Sequence, residues 1–407
     1  MRRVAWLLAG LVALFLFASC GGKFKLPTET PGQISANKSY LREATWTGMR
    51  GVSDLVYVPQ GIGGTLYVLF NDGVGMGSNR IRSYARFAPD GAPAPRPGYD
   101  FGFLFNPVAI CYGGDGLGTA DNRLYVLDQG DTCRARSDPQ NGCEPKFHLD
   151  PVGNVVVDWP ANVVDFEHYW RVREYSLTYG GQGAIPETVS TFTDTSVAWV
   201  QGIAADAQGR VYISCLTIQN LPDPNNFSIK TRAFVWAIRR YLHGPPASGT
   251  NPFMPGSNWH RDLTWSLSEG AGDGFVRDPR GIFWSASSVG GGGVFACDTK
   301  DVGNSWVQEV SDQDSSRLLL PRHVVGPFPG FQNPQDVTAD LAGFFYVADT
   351  DNRRVLRFDS QGEFIQRVDL KPDTTYLQRP TSVAADDSLV FVGDPVLGVV
   401  IRYKRLR

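Results

Sequence analysis

Residues 334–368 read PQDVTADLAGFFYVADTDNRRVLRFDSQGEFIQRV, and this stretch decides the fold. It contains four short runs rich in Val, Phe and Tyr, each typical of a β-strand: 337–340, 344–348, 355–358 and 364–368. Turn-forming residues separate these runs, at 341–343, 351–352 and 360–362. Four consecutive strands joined by short turns predict one small antiparallel sheet.

The opening tetrapeptide of this stretch recurs along the chain. Its first residue is Pro or Val, its second varies, its third is small or short, and its fourth is aliphatic. The six copies begin at Val52, Pro107, Val200, Pro279, Pro334 and Pro380. A second shared element follows each copy, beginning at Ile81, Val172, Ile238, Val307, Val355 and Val400. Repetition of one four-stranded unit is the mark of a β-propeller, so the sequence predicts an all-β, six-bladed propeller with four-stranded antiparallel blades.

The unit at 334–368 resembles an NHL repeat. The matching features are Pro334-Gln-Asp-Val337, Tyr346-Val-Ala-Asp349, Thr350-Asp-Asn-Arg-Arg-Val355 and Phe358-Asp-Ser-Gln-Gly362. The copies at 200–241 and 379–403 keep this pattern, whereas the others match by spacing more than by identity. The resemblance implies an NHL-like propeller over most of residues 48–407.

The last copy ends at Arg407 after its third strand, which leaves that strand without an outer neighbour. The segment SYLREATWT at 39–47 precedes the first copy and has a strand-like pattern. We therefore expect residues 39–47 to supply the outer strand of the last blade and to close the ring. The alternative interpretation is that these residues continue the linker before them.

The N-terminus has the pattern of an export signal. Arg2 and Arg3 precede an apolar run from Val4 to Phe17, and Phe17-Ala-Ser-Cys20 resembles a bacterial lipobox. Residues 1–19 are predicted to be a lipoprotein signal peptide, Cys20 the lipidated residue and 20–38 a tether. The absence of Asp after Cys20 favours the outer membrane if the cell is Gram-negative. An ordinary secretory signal ending near Ala18 is the alternative.

Three long connections are expected on the top face, defined as the side on which the inner strand of each blade begins. They are Asn71–Asn79, Gln129–His168 and Thr217–Thr231. The middle one carries Cys133 and Cys143, for which export favours a disulfide over two free thiols. At its end stand four aromatic or imidazole candidates for partner recognition: Trp159, His168, Tyr169 and Trp170. Packing of the insertion onto the propeller explains these residues equally well.

Residues at the second and third positions of the tetrapeptide are expected to surround the mouth of the central channel. The candidates for binding there are Ser53, Asp54, Gln201, Arg280, Gln335, Asp336 and Thr381. Related propeller enzymes, of the gluconolactonase and peptidyl-amidating lyase types, place metal-binding His, Glu, Asp or Asn residues on this channel. Here only Asp54 and Asp336 are carboxylates, and two carboxylates alone make a weak divalent site. We therefore predict no catalytic residue and no metal-site residue, while a structural calcium ion held by backbone oxygens in the channel stays open.

Arginine recurs in the second shared element, and we expect Arg82, Arg173, Arg239 and Arg357 to face solvent and pair with acidic neighbours. The formal net charge is −3, and removal of residues 1–19, which hold two arginines and no acidic residue, makes it −5. This balance gives no footprint for nucleic acid.

The sequence thus favours a lipid-anchored, extracytoplasmic propeller that binds a protein, peptide or glycan on its top face without chemistry of its own. A channel-centred, metal-dependent hydrolase or lyase is the alternative.

Overall fold

The computed structural model describes residues 40–59, 64–73, 78–96, 101, 104–113, 122–129, 134–135, 146–149, 155–158, 166–167, 170–180, 183–194, 196–223, 226–244, 259–267, 276, 278–286, 292–299, 305–311, 331–360, 362, 364–368 and 377–406. All regular structure in these residues is β-strand, as the sequence predicts. No helix among them has the length and apolar character needed to cross a membrane.

The strands follow one another in six main antiparallel sheets. Strand β1 (Tyr40–Trp46) is followed by the first sheet, formed by β2 (Val52–Val58), β3 (Thr65–Phe70) and β4 (Arg80–Ala85). The second sheet begins with β5 (Pro107–Gly113) and β6 (Arg123–Asp128). Four short strands come next: β7 (Arg134–Ala135), β8 (Lys146–Leu149), β9 (Val155–Asp158) and β10 (Phe166–Glu167). The second sheet then ends with β11 (Arg171–Gly180) and β12 (Gly183–Phe192).

The third sheet contains β13 (Val197–Ala205), β14 (Val211–Asp223), β15 (Asn226–His243) and β16 (Trp259–Leu267). The fourth contains β17 (Pro279–Ser285), β18 (Gly293–Asp298) and β19 (Trp306–Ser311), and the fifth β20 (Pro334–Ala339), β21 (Phe345–Asp349), β22 (Arg354–Phe358) and β23 (Phe364–Arg367). The sixth contains β24 (Ser382–Ala385), β25 (Leu389–Asp394) and β26 (Val399–Arg405). The first and fourth sheets have three strands in the described part of the chain, not the four expected.

The N-terminal strand pairs with the last strand of the chain. Strand β1 runs antiparallel to β26, with Tyr40 opposite Arg405 and Trp46 opposite Val400. The sixth sheet therefore has the order β1-β26-β25-β24, and its outer strand comes from the segment predicted for that role. This pairing gives the last strand of the chain a hydrogen-bonded neighbour on its outer side.

The inner strands of the six sheets contact one another in sequence. Strand β2 contacts β5, β5 contacts β13, β13 contacts β17, β17 contacts β20, β20 contacts β24, and β24 contacts β2. Six buried apolar clusters lie between neighbouring sheets, and one of them joins the first and sixth sheets. This is the arrangement of a β-propeller, in which radial sheets bury their faces against each other.

Two expectations about the periphery are wrong. The segment 217–231 is not a loop, because β14 and β15 continue as a paired hairpin from Thr217 opposite Val235 to Pro222 opposite Lys230. Arg239 and Arg357 do not face solvent, since only 2% and 4% of their surfaces are exposed. Arg239 pairs with Asp194, and the guanidinium of Arg357 lies 3.9 Å from the ring centre of Phe344. A guanidinium tolerates burial where an anion or an aromatic face replaces its water.

The insertion at 129–168 forms a nested pair of two-stranded ladders, in which β7 pairs with β10 and β8 with β9. This segment was expected to be a long connection, yet Arg134 and Ala135 pair with Glu167 and Phe166.

Candidate functional site

A cavity of about 330 Å³ lies where the six inner strands meet. Its collar consists of the aliphatic fourth residue of every tetrapeptide copy: Leu55, Ile110, Ile203, Ile282, Val337 and Val383. Each of these side chains is at least 95% buried. Six equivalent aliphatic residues around one axis give the cavity an apolar wall, which is the usual character of a small-molecule site.

Asp206 borders the cavity from the connection after β13, and two carboxylates on the inner strands interrupt the apolar wall, those of Asp54 on β2 and Asp336 on β20. Both stand at the third position of their tetrapeptides, and both side chains are half-buried because they border the cavity. A β-bulge lies just before each of them, between Val52 and Asp54 and between Pro334 and Asp336. A bulge re-aims the side chain that follows it.

Each carboxylate connects its own inner strand to the next. Asp54 Oδ1 accepts a hydrogen bond from Leu55 N at 2.7 Å, and its Oδ2 accepts one from Ile110 N in the second sheet at 2.8 Å. Asp336 repeats this geometry, with Val337 N on Oδ1 and Val383 N in the sixth sheet on Oδ2, both at 2.8 Å. Every carboxylate oxygen keeps a lone pair for a further donor.

Burial sets the charge of this pair. Desolvation raises the pKa of Asp54 to about 7, against the opposing effect of its two backbone hydrogen bonds. Desolvation also raises the pKa of Asp336 well above its usual range, and the charge of Asp54 adds to that rise. Burial therefore favours the protonated form of both side chains more than in an ordinary aspartate.

In the third and fourth sheets the third position of the tetrapeptide is glycine instead of aspartate. A Cβ on Gly202 would lie 2.3 Å from the carbonyl oxygen of Arg280, and one on Gly281 would lie 2.4 Å from that of Gln335. Only glycine allows inner strands to approach this closely. The third position thus lies at the seam between neighbouring sheets.

The remaining predicted mouth residues do not line the cavity. Ser53 donates to the carbonyl of Leu69, Gln335 donates to Asn333, and Thr381 bonds through its backbone N to Gly393 O. Gln201 and Arg280 both donate to Asp278, at 3.1 and 2.8 Å. The second position therefore takes part in local hydrogen bonding, and only Asp54 and Asp336 of the seven candidates border the cavity.

The cavity reaches the bottom face, opposite to the predicted binding face. Its lining continues along the inner strands past Tyr57 and Trp284 to Ala207, Ala286 and Leu341 in the connections between first and second strands. Leu341 is 72% exposed, and Ala207 and Ala286 are exposed as well. The signal for the collar was present in the sequence, because the fourth position is aliphatic in all six copies, but it reads equally well as ordinary core.

Of the four insertion candidates the structure describes Trp170, which is 2% exposed and donates its indole N–H to Asp194 O at 3.1 Å. Its burial agrees with the alternative interpretation, in which these residues pack the insertion onto the propeller. Trp159, His168, Tyr169, the cysteines Cys133 and Cys143, and the lipidation candidate Cys20 lie outside the described residues.

The described residues contain no group of three His, Cys, Asp or Glu side chains placed to hold a metal ion. The described cysteines are Cys111, Cys215 and Cys297, and all three side chains are buried. Cys111 borders the cavity, and burial raises the pKa of its thiol, with a further contribution from the Asp54 charge.

No family model and no curated protein matches this chain. Solved structures similar to it include a protein assigned as an oxidoreductase (glucose dehydrogenase) from Thermus thermophilus, with 14% identity over 90% of this chain and 100% of that chain and a TM-score of 0.47. A catalytically inactive virginiamycin B lyase from Staphylococcus aureus with quinupristin shows 10% identity over 90% and 98%, with a TM-score of 0.42. A protein assigned as a gluconolactonase shows 10% identity over 90% and 92%, with a TM-score of 0.43. At such identities no site residue, substrate or activity transfers to this chain.

Proposed function

We propose that this protein is a closed, six-bladed, NHL-like propeller that binds a small, mainly apolar ligand in its central cavity. The carrying observation is the cavity of about 330 Å³ bordered by all six inner strands, with an aliphatic collar and a lining that continues to exposed residues at the bottom face. Concave, mostly apolar pockets with a few converging polar groups are the usual sites for small molecules.

The cellular setting of this proposal comes from the sequence. Export, lipidation at Cys20 and a tether at 20–38 would anchor the propeller to the cell envelope outside the cytoplasm, and the outer membrane is favoured in a Gram-negative cell. A disulfide between Cys133 and Cys143 would stabilise the insertion, whose surface stays a candidate for a protein, peptide or glycan partner. Binding without catalysis is the function we assign to the cavity.

Binding of a neutral fluorophore tests the proposal. N-phenyl-1-naphthylamine is expected to bind the purified full-length protein with one site, and Thr338→Phe should weaken binding at least about tenfold because Thr338 lines the cavity and a phenyl group would occupy it. Ala342→Phe is the matched control, since Ala342 is exposed in the neighbouring turn and does not line the cavity. Equal binding by both variants would refute the assignment of the site.

One observation favours the enzymatic alternative. Two carboxylates with raised pKa values in an apolar cavity form a donor–acceptor pair for general acid–base chemistry, and a pKa near 7 suits a general base at neutral pH. A metal-dependent hydrolase or lyase would need a further ligand set in addition. Stoichiometric zinc or calcium in the purified protein would support that alternative, and its absence together with tight ligand binding would support the binding module.

A further inference from the structure

The charged side chains that border the cavity in the described residues are all acidic. Asp54, Asp336 and Asp206 are the acidic residues that border it, and no Lys, Arg or His side chain is among the described residues that do. Asp206 is satisfied within its own turn, where it accepts hydrogen bonds from Gln208 N, Arg210 and Tyr212 and is neutralised by the Arg210 guanidinium. The uncompensated charge therefore belongs to Asp54 and Asp336.

The same two carboxylates have unused acceptor capacity. Each of their four oxygens accepts one backbone N–H, and the remaining lone pairs border the cavity. The buried thiol of Cys111 borders the cavity as well. Two carboxylates with spare acceptor capacity and a thiol, in a cavity lined mostly by apolar residues, point to a ligand with a hydrogen-bond donor at one end.

Charge complementarity selects the chemistry of that donor. A protonated amine donates up to three hydrogen bonds and carries the opposite charge to the aspartate pair. An apolar body attached to it would fill the volume between the aliphatic collar and the aromatic residues Tyr57, Tyr112, Phe283 and Trp284. An anionic ligand would meet unfavourable charge and no cation.

Resting on the proposed function, we propose that the cavity selects small primary amines with an apolar body, whose ammonium group binds between Asp54 and Asp336. The body then extends along the apolar wall towards the bottom face. The site takes the amine as a cation, so the carboxylate pair must carry at least one negative charge when the ligand is bound.

This requirement makes binding depend on pH. Burial raises the pKa of Asp54 to about 7, and burial together with the charge of Asp54 raises the pKa of Asp336. The other titratable groups around the pair are Cys111, near Asp54, and Cys297, near Asp336; burial raises the pKa of both thiols, so they stay neutral. Asp298 and Asp349 also act on Cys297 as negative charges. Amine affinity should therefore rise as the pH increases through about 7 and Asp54 ionises.

The test is competition against bound N-phenyl-1-naphthylamine with 2-phenylethylamine and with its neutral counterpart 2-phenylethanol. At pH 8 the amine should displace the fluorophore at a concentration at least about tenfold lower than the alcohol. Between pH 5.5 and pH 8 the amine's affinity should rise about tenfold or more, while that of the alcohol stays constant. Asp54→Asn should remove both the preference and the pH dependence.

The outcomes separate the two proposals. Fluorophore binding that Thr338→Phe weakens, combined with equal competition by amine and alcohol at both pH values, overturns the amine proposal and leaves the proposed site in place. Failure of the fluorophore to bind, or binding that Thr338→Phe leaves unchanged, overturns the site itself. The pH profile of the unmodified protein decides the matter even if Asp54→Asn does not fold.

Discussion

At the scale of single residues, the third position of the tetrapeptide decides how neighbouring inner strands meet. Asp54 and Asp336 bridge the seam with hydrogen bonds to the next strand, whereas Gly202 and Gly281 let the backbones come into direct contact. Ala109 occupies the same position in the second sheet and is 7% exposed. Ser382 occupies this position in the sixth sheet and is fully buried. The third position thus holds four residue types at the contacts between inner strands, and a residue that suits one contact does not suit another.

Gly281→Ala should therefore destabilise the protein. The new Cβ would lie 2.4 Å from Gln335 O and 2.7 Å from the Cα of Asp336, so the backbone must move, at a cost of about 1–3 kcal/mol. Chemical denaturation monitored by tryptophan fluorescence measures this change. The matched control is Ala109→Gly, which adds no atom and should cost no more than about 1 kcal/mol. Equal stability of the two variants would contradict the close contact between Gly281 and the backbone of Gln335 and Asp336.

At the scale of elements, the N-terminal strand β1 is the most informative, because its pairing with β26 joins the two ends of the propeller chain. Its inward residue Trp46 is fully buried. The centre of its ring lies 5.5 Å from that of Tyr84 in the first sheet and 5.8 Å from that of Phe391 in the sixth. Tyr40 at the other end bonds to the hydroxyl of Tyr346 in the fifth sheet at 3.0 Å. One seven-residue strand thus contacts three sheets.

Trp46→Ala should cost about 3–5 kcal/mol, because it removes a fully buried indole from between two sheets. Leu41→Ala on the same strand is the control: Leu41 is 54% exposed, and its loss should change stability by less than about 0.5 kcal/mol. Equilibrium unfolding in denaturant provides both numbers. A loss below about 1 kcal/mol for Trp46→Ala would argue that β1 does not contribute to the folded ring.

At the scale of the whole molecule, the aspartate pair makes the stability of the folded protein depend on pH. The pKa of Asp54 is about 7 in the folded state, above its ordinary value of about 4 in the unfolded chain. The folded protein therefore binds the extra proton between these values. The stabilisation from that proton is complete below about pH 4 and is lost as the pH rises through about 7. At higher pH this group no longer changes the free energy of unfolding with pH.

Asp54→Asn should remove this dependence. The midpoint of thermal unfolding of the variant, relative to the unmodified protein, should increase between pH 5 and pH 7.5 and then level off. Asp90→Asn is a control, because the stabilisation from Asp90 depends on pH in the opposite direction. Hydrogen bonds from Thr45 N and Gly91 N lower the pKa of Asp90, so its stabilisation is present above about pH 4 and is lost in acid. A constant difference between Asp54→Asn and the unmodified protein over pH 5–7.5 would contradict the burial of a protonated carboxyl.

Local signals suffice for much of the fold. The tetrapeptide at Pro334 and the following turns predict one sheet, because strand alternation and turn chemistry act over a few residues. The unpaired final strand also predicts the pairing of 39–47, since an open sheet edge needs a partner. The hairpin at 217–231 was missed because Pro222, Asp223 and Pro224 are turn formers and suggested a loop for the whole segment. In the structure β14 continues to Asp223 and β15 begins at Asn226, so Pro222 and Asp223 lie at the end of a long hairpin.

The sequence by itself determined the repeat, the strands and the third-position carboxylates, because each depends on residue type and short-range spacing. Only the tertiary structure decided that the second position bonds locally, that the third and fourth positions border a cavity, and that this cavity reaches the bottom face. The physical reason is that a β-bulge between the first and third positions redirects the side chains, and the meeting of six strands around one volume brings together residues hundreds of positions apart. The raised pKa of Asp54 has the same origin, since desolvation depends on all the neighbouring strands and not on the residues beside it in the chain.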